Sequence, residues 1–259
     1  MCFSRIRRFV LLTPVCILAA FGVQTATAET LTGSNVDSRV LVAMQFDADA
    51  VQAMMPKGWT LFPFPGGALK GANSLLIFAD RYLGMDAEGK PKDPSSYRAI
   101  AMASLGKSAT TDEVRTFVTR VYATVDGNDP YGNARLANIS RRAGVESMDS
   151  SQPKFHENWL LRTDGGQMSM SLSYTAGPLS WAVRESQSYS NVDSGIHHLN
   201  KFEQLSDLAM SLPLGKALDG EMEINSSIPE LAVLFDGNES TIAVIVIPMY
   251  VREVFDPKS

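Results

Sequence analysis

Arg120, Tyr122, Arg135, Arg184 and Glu185 stand in stretches that otherwise read as buried or half-buried. A guanidinium or carboxylate held away from water needs an opposite charge or a hydrogen-bonding partner. On the outer faces of strands these residues are ordinary solvated charges. On an inner face they form a polar patch, in which Arg135 and Arg184 meet an anionic group and Tyr131, Asn133 and Glu185 supply further polar contacts. Glu185 and Glu157 are the carboxylates available as a general base, and His156 beside Glu157 offers acid–base chemistry or a solvated strand end.

Other chemistries find little footing. The run Pro63-Phe64-Pro65-Gly66-Gly67-Ala68-Leu69-Lys70-Gly71 has the glycines and lysine of a phosphate cradle but not its order. Its prolines remove backbone donors, Lys70 precedes Gly71 rather than a serine or threonine, and the residues after Gly71 read as strand instead of helix. It is expected to be a turn between strands. Asp126 to Gly132 begins like a calcium loop, yet Tyr131 occupies the required glycine position and no glutamate closes the loop. The histidines are His156, His197 and His198; the last two point to opposite faces of an extended chain and cannot chelate one ion together. No metal site and no cofactor is expected. A Gly-x-Ser-x-Gly elbow is absent, and the methionines sit at core spacing.

The elements that must position the polar residues are mostly strands. Ser38 to Phe46 puts Val40, Val42, Met44 and Phe46 on one face, and Ala72 to Tyr82, Tyr97 to Leu105, Trp181 to Tyr189 and Ser240 to Met249 read similarly. Phe155 to Arg162 and Gln167 to Tyr174 form a hairpin, whose Asp164-Gly165-Gly166 turn is expected to supply positive φ. Three short helices are predicted. Asp47 caps Ala48 to Met55, Thr110 and Glu113 make a capping box before a helix carrying Val114, Phe117, Val118 and Val121, and Ser227 caps Pro229 to Phe235. The second of these also reads as a strand from Arg115 onward. The fold class is mainly β with a few short helices.

The N-terminus carries Arg5, Arg7 and Arg8, then an apolar stretch from Phe9 to Val23 broken by Thr13, Pro14 and Gly22, then Ala26-Thr27-Ala28. This is the pattern of a cleaved signal peptide over 1–28, with 29–259 as a single domain in the periplasm or outside the cell. Cleavage removes both cysteines, Cys2 and Cys16, and three of the 23 basic residues, which leaves 20 against 28 acids, a charge of −8. The exported chain is then thiol-free and relies on a core. The negative balance argues against nucleic acid, and no later stretch has the apolar length of a membrane helix. Composition says nothing about oligomeric state.

The run from Val40-Leu41-Val42 through Phe46-Asp47-Ala48 to Met55-Pro56-Lys57-Gly58 resembles the acetoacetate decarboxylase superfamily, and the C-terminal run Ile242 to Phe255 is similar to how those chains end. The resemblance implies a closed antiparallel barrel around a central apolar cavity. It also implies a lysine that forms a Schiff base with a β-keto acid. The matching segment here is Tyr131-Gly132-Asn133-Ala134-Arg135-Leu136-Ala137, where the lysine position falls on Asn133 or Ala134. Neither has an amine, and Arg135 does not lose its proton near neutral pH, so imine chemistry is not expected. Three functions are compatible with these residues: a carrier of a small, partly apolar molecule with an anionic group; an enzyme using carboxylate acid–base chemistry; or an envelope interaction protein whose interior is only core.

Overall fold

The computed structural model describes residues 29–127, 129–147 and 152–256; the predicted leader over 1–28, with Cys2 and Cys16, lies outside them. Thirteen strands occur in chain order: β1 (Thr30–Gln45), β2 (Trp59–Leu61), β3 (Ser74–Met85), β4 (Tyr97–Ser108), β5 (Val114–Ala123), β6 (Ala134–Leu136), β7 (Asn138–Glu146), β8 (Lys154–Thr163), β9 (Gly166–Thr175), β10 (Ser180–Ser190), β11 (His197–Ser211), β12 (Gly220–Ser226) and β13 (Ser240–Asp256). Short helical pieces, α1 (Ala48–Gln52) and two 3₁₀ turns at Gly67–Leu69 and Pro229–Leu231, sit between them.

Nine strands form one sheet in the order β2-β4-β3-β1-β13-β11-β10-β5-β6, and β4 also pairs with β5. The pairings therefore run from β4 through β3, β1, β13, β11, β10 and β5 back to β4. The wall is not antiparallel throughout: β10 meets β5 in parallel over Ser188–Ser190 only, and β6 also runs parallel to β5. The other four strands make a separate sheet, β12-β9-β8-β7, which covers one outer side of the first.

Alternation gives the long strands two different jobs. Val40, Val42 and Met44 of β1, Leu76 and Phe78 of β3, and Ile100 and Met102 of β4 pack against Trp159 and Leu161 of β8 and Met168, Met170 and Leu172 of β9. This is the main core. The intervening residues, Arg39 and Leu41, Leu75 to Arg81, and Tyr97 to Ala103 at every second position, face the other way.

The helix predicted after Thr110 is the strand β5, in agreement with the alternative reading. Thr110 and Thr111 N–H groups donate to Ser108 Oγ at 3.2 Å each, which makes a turn in place of a helix cap. A register shift between Met102 and Ala103 of β4, opposite β5, breaks the period-two pattern, so buried Phe117, Val118 and Val121 fall at helix-like spacing. At α1 the cap is as expected, with Ala50 N–H donating to Asp47 Oδ1 at 2.8 Å. Ser227 does not cap the Pro229 turn; its Oγ accepts from Gln167 N–H at 3.1 Å. The β8–β9 hairpin forms, but neither Gly165 nor Gly166 takes a left-handed φ. Gly166 is required by space: a Cβ there would lie 2.4 Å from the Ser227 carbonyl oxygen.

Candidate functional site

Small residues on the inward positions leave room inside the large sheet. Ala79 of β3, Ala99, Ala101 and Ala103 of β4, and Ala123 of β5 all line an inner chamber of about 280 Å³. Leu41, Phe64, Leu75, Ile77, Val118, Val121 and Phe202 add larger apolar side chains to its wall. An outer chamber of about 440 Å³ joins it, and the two share Arg81, Tyr97, Pro130, Tyr131, Asn200 and Arg252 as a collar. The outer chamber adds Lys92, Asp93, Asp126 and His198. No lysine lines the inner one.

The polar side of the inner chamber is built by β1, β3 and β13 from residues that lie side by side in register. Asp37 of β1 is opposite Arg81 of β3 and Tyr250 of β13, while Asn35 is opposite Arg252. Asp37 is fully buried; its Oδ2 accepts from Tyr250 Oη at 2.6 Å and lies 3.4 Å from Arg81 Nε, and its Oδ1 accepts from Asn35 Nδ2 at 2.5 Å. Arg252 donates from Nε and Nη2 to Asn35 Oδ1, at 2.9 and 2.6 Å. Arg81 also donates from Nη1 to Tyr97 Oη. Arg39 lies 3.9 Å over the Tyr250 ring and 4.9 Å over Phe202, and its buried Nε has no acceptor among the described residues.

Three guanidiniums thus stand near one carboxylate, Asp37, which forms an ion pair with Arg81. The electrostatics reflect that count. Arg252 is held below the usual arginine range, first by burial and next by the neighbouring Arg81. Burial is the largest single influence on Arg81 and works against its charge, but Tyr97, Asp37, Tyr250 and Tyr131 together outweigh it and its pKa rises. Burial pushes Tyr131 and Tyr250 upward, partly opposed by Arg252 and Arg39 respectively, so both phenols stay neutral at physiological pH.

The predicted residues scatter. Tyr131 belongs to the collar of both chambers. Asn133, 2% exposed, is an anchor behind the wall: its Nδ2 donates to Val118 O and to Asn191 Oδ1, each at 2.7 Å. Arg120, Tyr122 and Arg135 come together elsewhere, around Glu230. Tyr122 Oη donates to Glu230 Oε1 at 2.5 Å, Arg120 pairs with Glu230 at 2.9 Å, and exposed Arg135 lines the same open cleft. Arg184 and Glu185 are exposed on β10 and line neither chamber, so they do not join an inner polar patch. Their half of β10 pairs with β11 on one edge and lies before the contact with β5 on the other. Glu157, 6% exposed, lies between the sheets and is committed: it accepts from Arg141 Nε at 2.8 Å, Arg141 Nη2 at 2.5 Å and Trp159 Nε1 at 3.1 Å. The Pro63–Gly71 run is the connection from β2 to β3, with Lys70 exposed and left-handed φ at Gly67 and Gly71. At the loop that resembles a calcium site, Asp129 Oδ1 accepts from Asn133 N–H at 2.9 Å as in an ordinary turn.

Arg39, Arg81, Arg252, Asp37 and Asn200 were not singled out from the sequence. Their signal was present in the strand pattern, since Asp37, Arg39 and Leu41 alternate with the core residues Ser38, Val40 and Val42 on the opposite face.

No protein-family model matches the sequence, and no curated protein matches it. Solved structures do. An acetoacetate decarboxylase-like enzyme from Sphingomonas wittichii RW1 superimposes with a TM-score of 0.55 at 12% identity, over 90% of this chain and 93% of that one. The enduracididine biosynthesis enzyme MppR, in its complex with pyruvate, gives 0.53 at 10% identity, over 90% and 91%. The described chain therefore has the acetoacetate decarboxylase-like fold. At these identities the likeness is one of architecture.

Proposed function

We propose that this is an exported protein whose large sheet acts as a closed barrel and whose inner chamber binds a small, partly apolar molecule through an anionic group. The observation that carries the reading is the charge imbalance at the collar, where Arg81 and Arg252 flank Tyr131 and Asn200 with Asp37 as the carboxylate at hand. A guanidinium without a counter-charge in a confined space favours an incoming carboxylate, which it can bind with paired hydrogen bonds. The alanine-lined wall suits a short hydrocarbon body. MppR, a protein of the same fold, has been captured with pyruvate, itself a small carboxylate. Export rests on the N-terminal pattern of the sequence.

The test is thermal stabilisation and calorimetry of the purified protein with short monocarboxylates, alongside native mass spectrometry of material from its own host. A ligand at a hundred times its Kd is expected to stabilise the fold by about 2.7 kcal/mol. Arg252→Gln is expected to weaken carboxylate binding at least tenfold, since it removes one charged, partly buried partner. Unchanged affinity in that variant, or stabilisation by neutral amides equal to that by the acids, would overturn the reading.

A further inference from the structure

The charges of the inner chamber are distributed by depth. Arg252 stands opposite Asn35 on β1 and lines both chambers, whereas Arg39, four residues further along the same strand, lines only the inner one. Four residues of antiparallel strand span about 13 Å between backbone levels. Arg81, opposite Asp37, stands between them and has that carboxylate as its ion-pair partner. Arg252 has the neutral Asn35 as its hydrogen-bonding partner, and Arg39 has only the ring faces of Tyr250 and Phe202. Two guanidinium charges at two depths are thus left without an ion-paired carboxylate among the described residues. A single anionic group at the collar answers Arg252 and leaves the deeper one as it was. Aromatic faces hold a guanidinium in place but do not neutralise it.

We propose that the inner chamber takes a dianionic molecule, two anionic groups joined by a short apolar spacer, with Arg252 receiving the outer group and Arg39 the inner one. This rests on the anion-binding reading above and specifies its ligand class. The outer chamber offers no comparable surplus, because Lys92 there is accompanied by Asp93 and Asp126. Discrimination between one charge and two therefore belongs to Arg39. A monoanion of the same length leaves the deeper guanidinium without a counter-charge, and loses affinity for that reason.

The experiment compares straight-chain dicarboxylates from succinate to suberate with the monocarboxylates of equal carbon number, by calorimetry on the purified protein. The best dicarboxylate is expected to bind at least tenfold more tightly than its matched monocarboxylate. Arg39→Met should abolish that preference while leaving monocarboxylate affinity within about twofold, and Arg39→Lys, which keeps the charge, should retain part of it. Thermal melts of both variants beside the wild type identify any that fail to fold, and the lysine variant then decides. Equal binding of the two series overturns the dianion proposal and leaves the anion site standing. Parallel loss of both series in Arg39→Met overturns it too, by placing Arg39 in the single-anion site. Binding of neither series overturns the anion-binding reading itself, and the dianion proposal with it.

Discussion

Arg141 and Glu185 show how differently two charged side chains in strands can matter. Arg141 of β7 donates to Glu157 on β8 and reaches across to Ser38 Oγ at 2.8 Å, Asp80 Oδ2 at 3.2 Å and Tyr82 Oη at 2.8 Å on the large sheet. Removing it leaves buried Glu157 with Trp159 Nε1 as its remaining donor, and takes from Asp80 one of two arginine partners, the other being Arg98 at 3.2 Å. Arg141→Met is expected to cost about 3–5 kcal/mol in urea unfolding. Glu185 is exposed beside Lys201, which already pairs with Glu29 at 2.6 Å. Glu185→Ala should leave the urea midpoint within the range of an exposed pair, less than about 1 kcal/mol. Reversed magnitudes would contradict the placement of both residues. Sequence could rank neither, because Arg141 in Ser140-Arg141-Arg142 and Arg184 in Val183-Arg184-Glu185 look alike until the facing sheet is known. Tyr131 was legible as a site residue because a resemblance pointed to its segment. Arg39 and Arg252 were hidden by their companions, lying in strands whose apolar face drew attention to the core.

Strands were the most legible level. Period-two runs marked β1, β3, β4, β8, β9, β10 and the first half of β13. Among the longer strands, β7, β11 and β12 escaped, because polar residues fill outward positions and dilute the alternation: Glu203 and Gln204 in β11, Glu221 and Glu223 in β12. Pairing order was also illegible, since β1 with β13 joins the two ends of the chain through contacts between residues about two hundred apart. At this scale the inward alanines make the testable element. Ala101, flanked in register by Ile77 and Val121, projects into the inner chamber. Ala101→Leu is expected to fill part of that space, reduce carboxylate affinity by at least tenfold, and change stability by no more than about 1.5 kcal/mol. A large loss of stability with ligand binding intact would mean that the position is packed and not open.

The molecule as a whole carries a set of phenols that burial keeps protonated. Tyr122, Tyr131, Tyr174 and Tyr250 are all raised, burial being the largest cause in each, with the hydrogen bond to Glu230 adding to it at Tyr122. In the unfolded chain these groups ionise near pH 10 (about the free tyrosine value), while the native state holds its protons longer. Their contribution is therefore complete below about pH 10 and is lost as pH rises toward the native values. Urea midpoints are expected to be level from about pH 8 to 9.5 and to fall steeply above about 10, with tyrosinate absorbance at these positions appearing only as the fold is lost. Early absorbance from an intact fold would place the phenols in water. The pleat has one more consequence, which concerns descent. In β1, β3 and β4 the residues that glue the sheets together and the residues that line the inner chamber are different residues, taken in turn along the same backbone. A lineage can therefore alter the chamber's lining at Arg39, Ala101 or Arg252 while Val40, Ile100 and the rest of the glue go on as they were. That separation lets an architecture be kept at a tenth of shared sequence, since a change in the lining and a loss of the house are separate events.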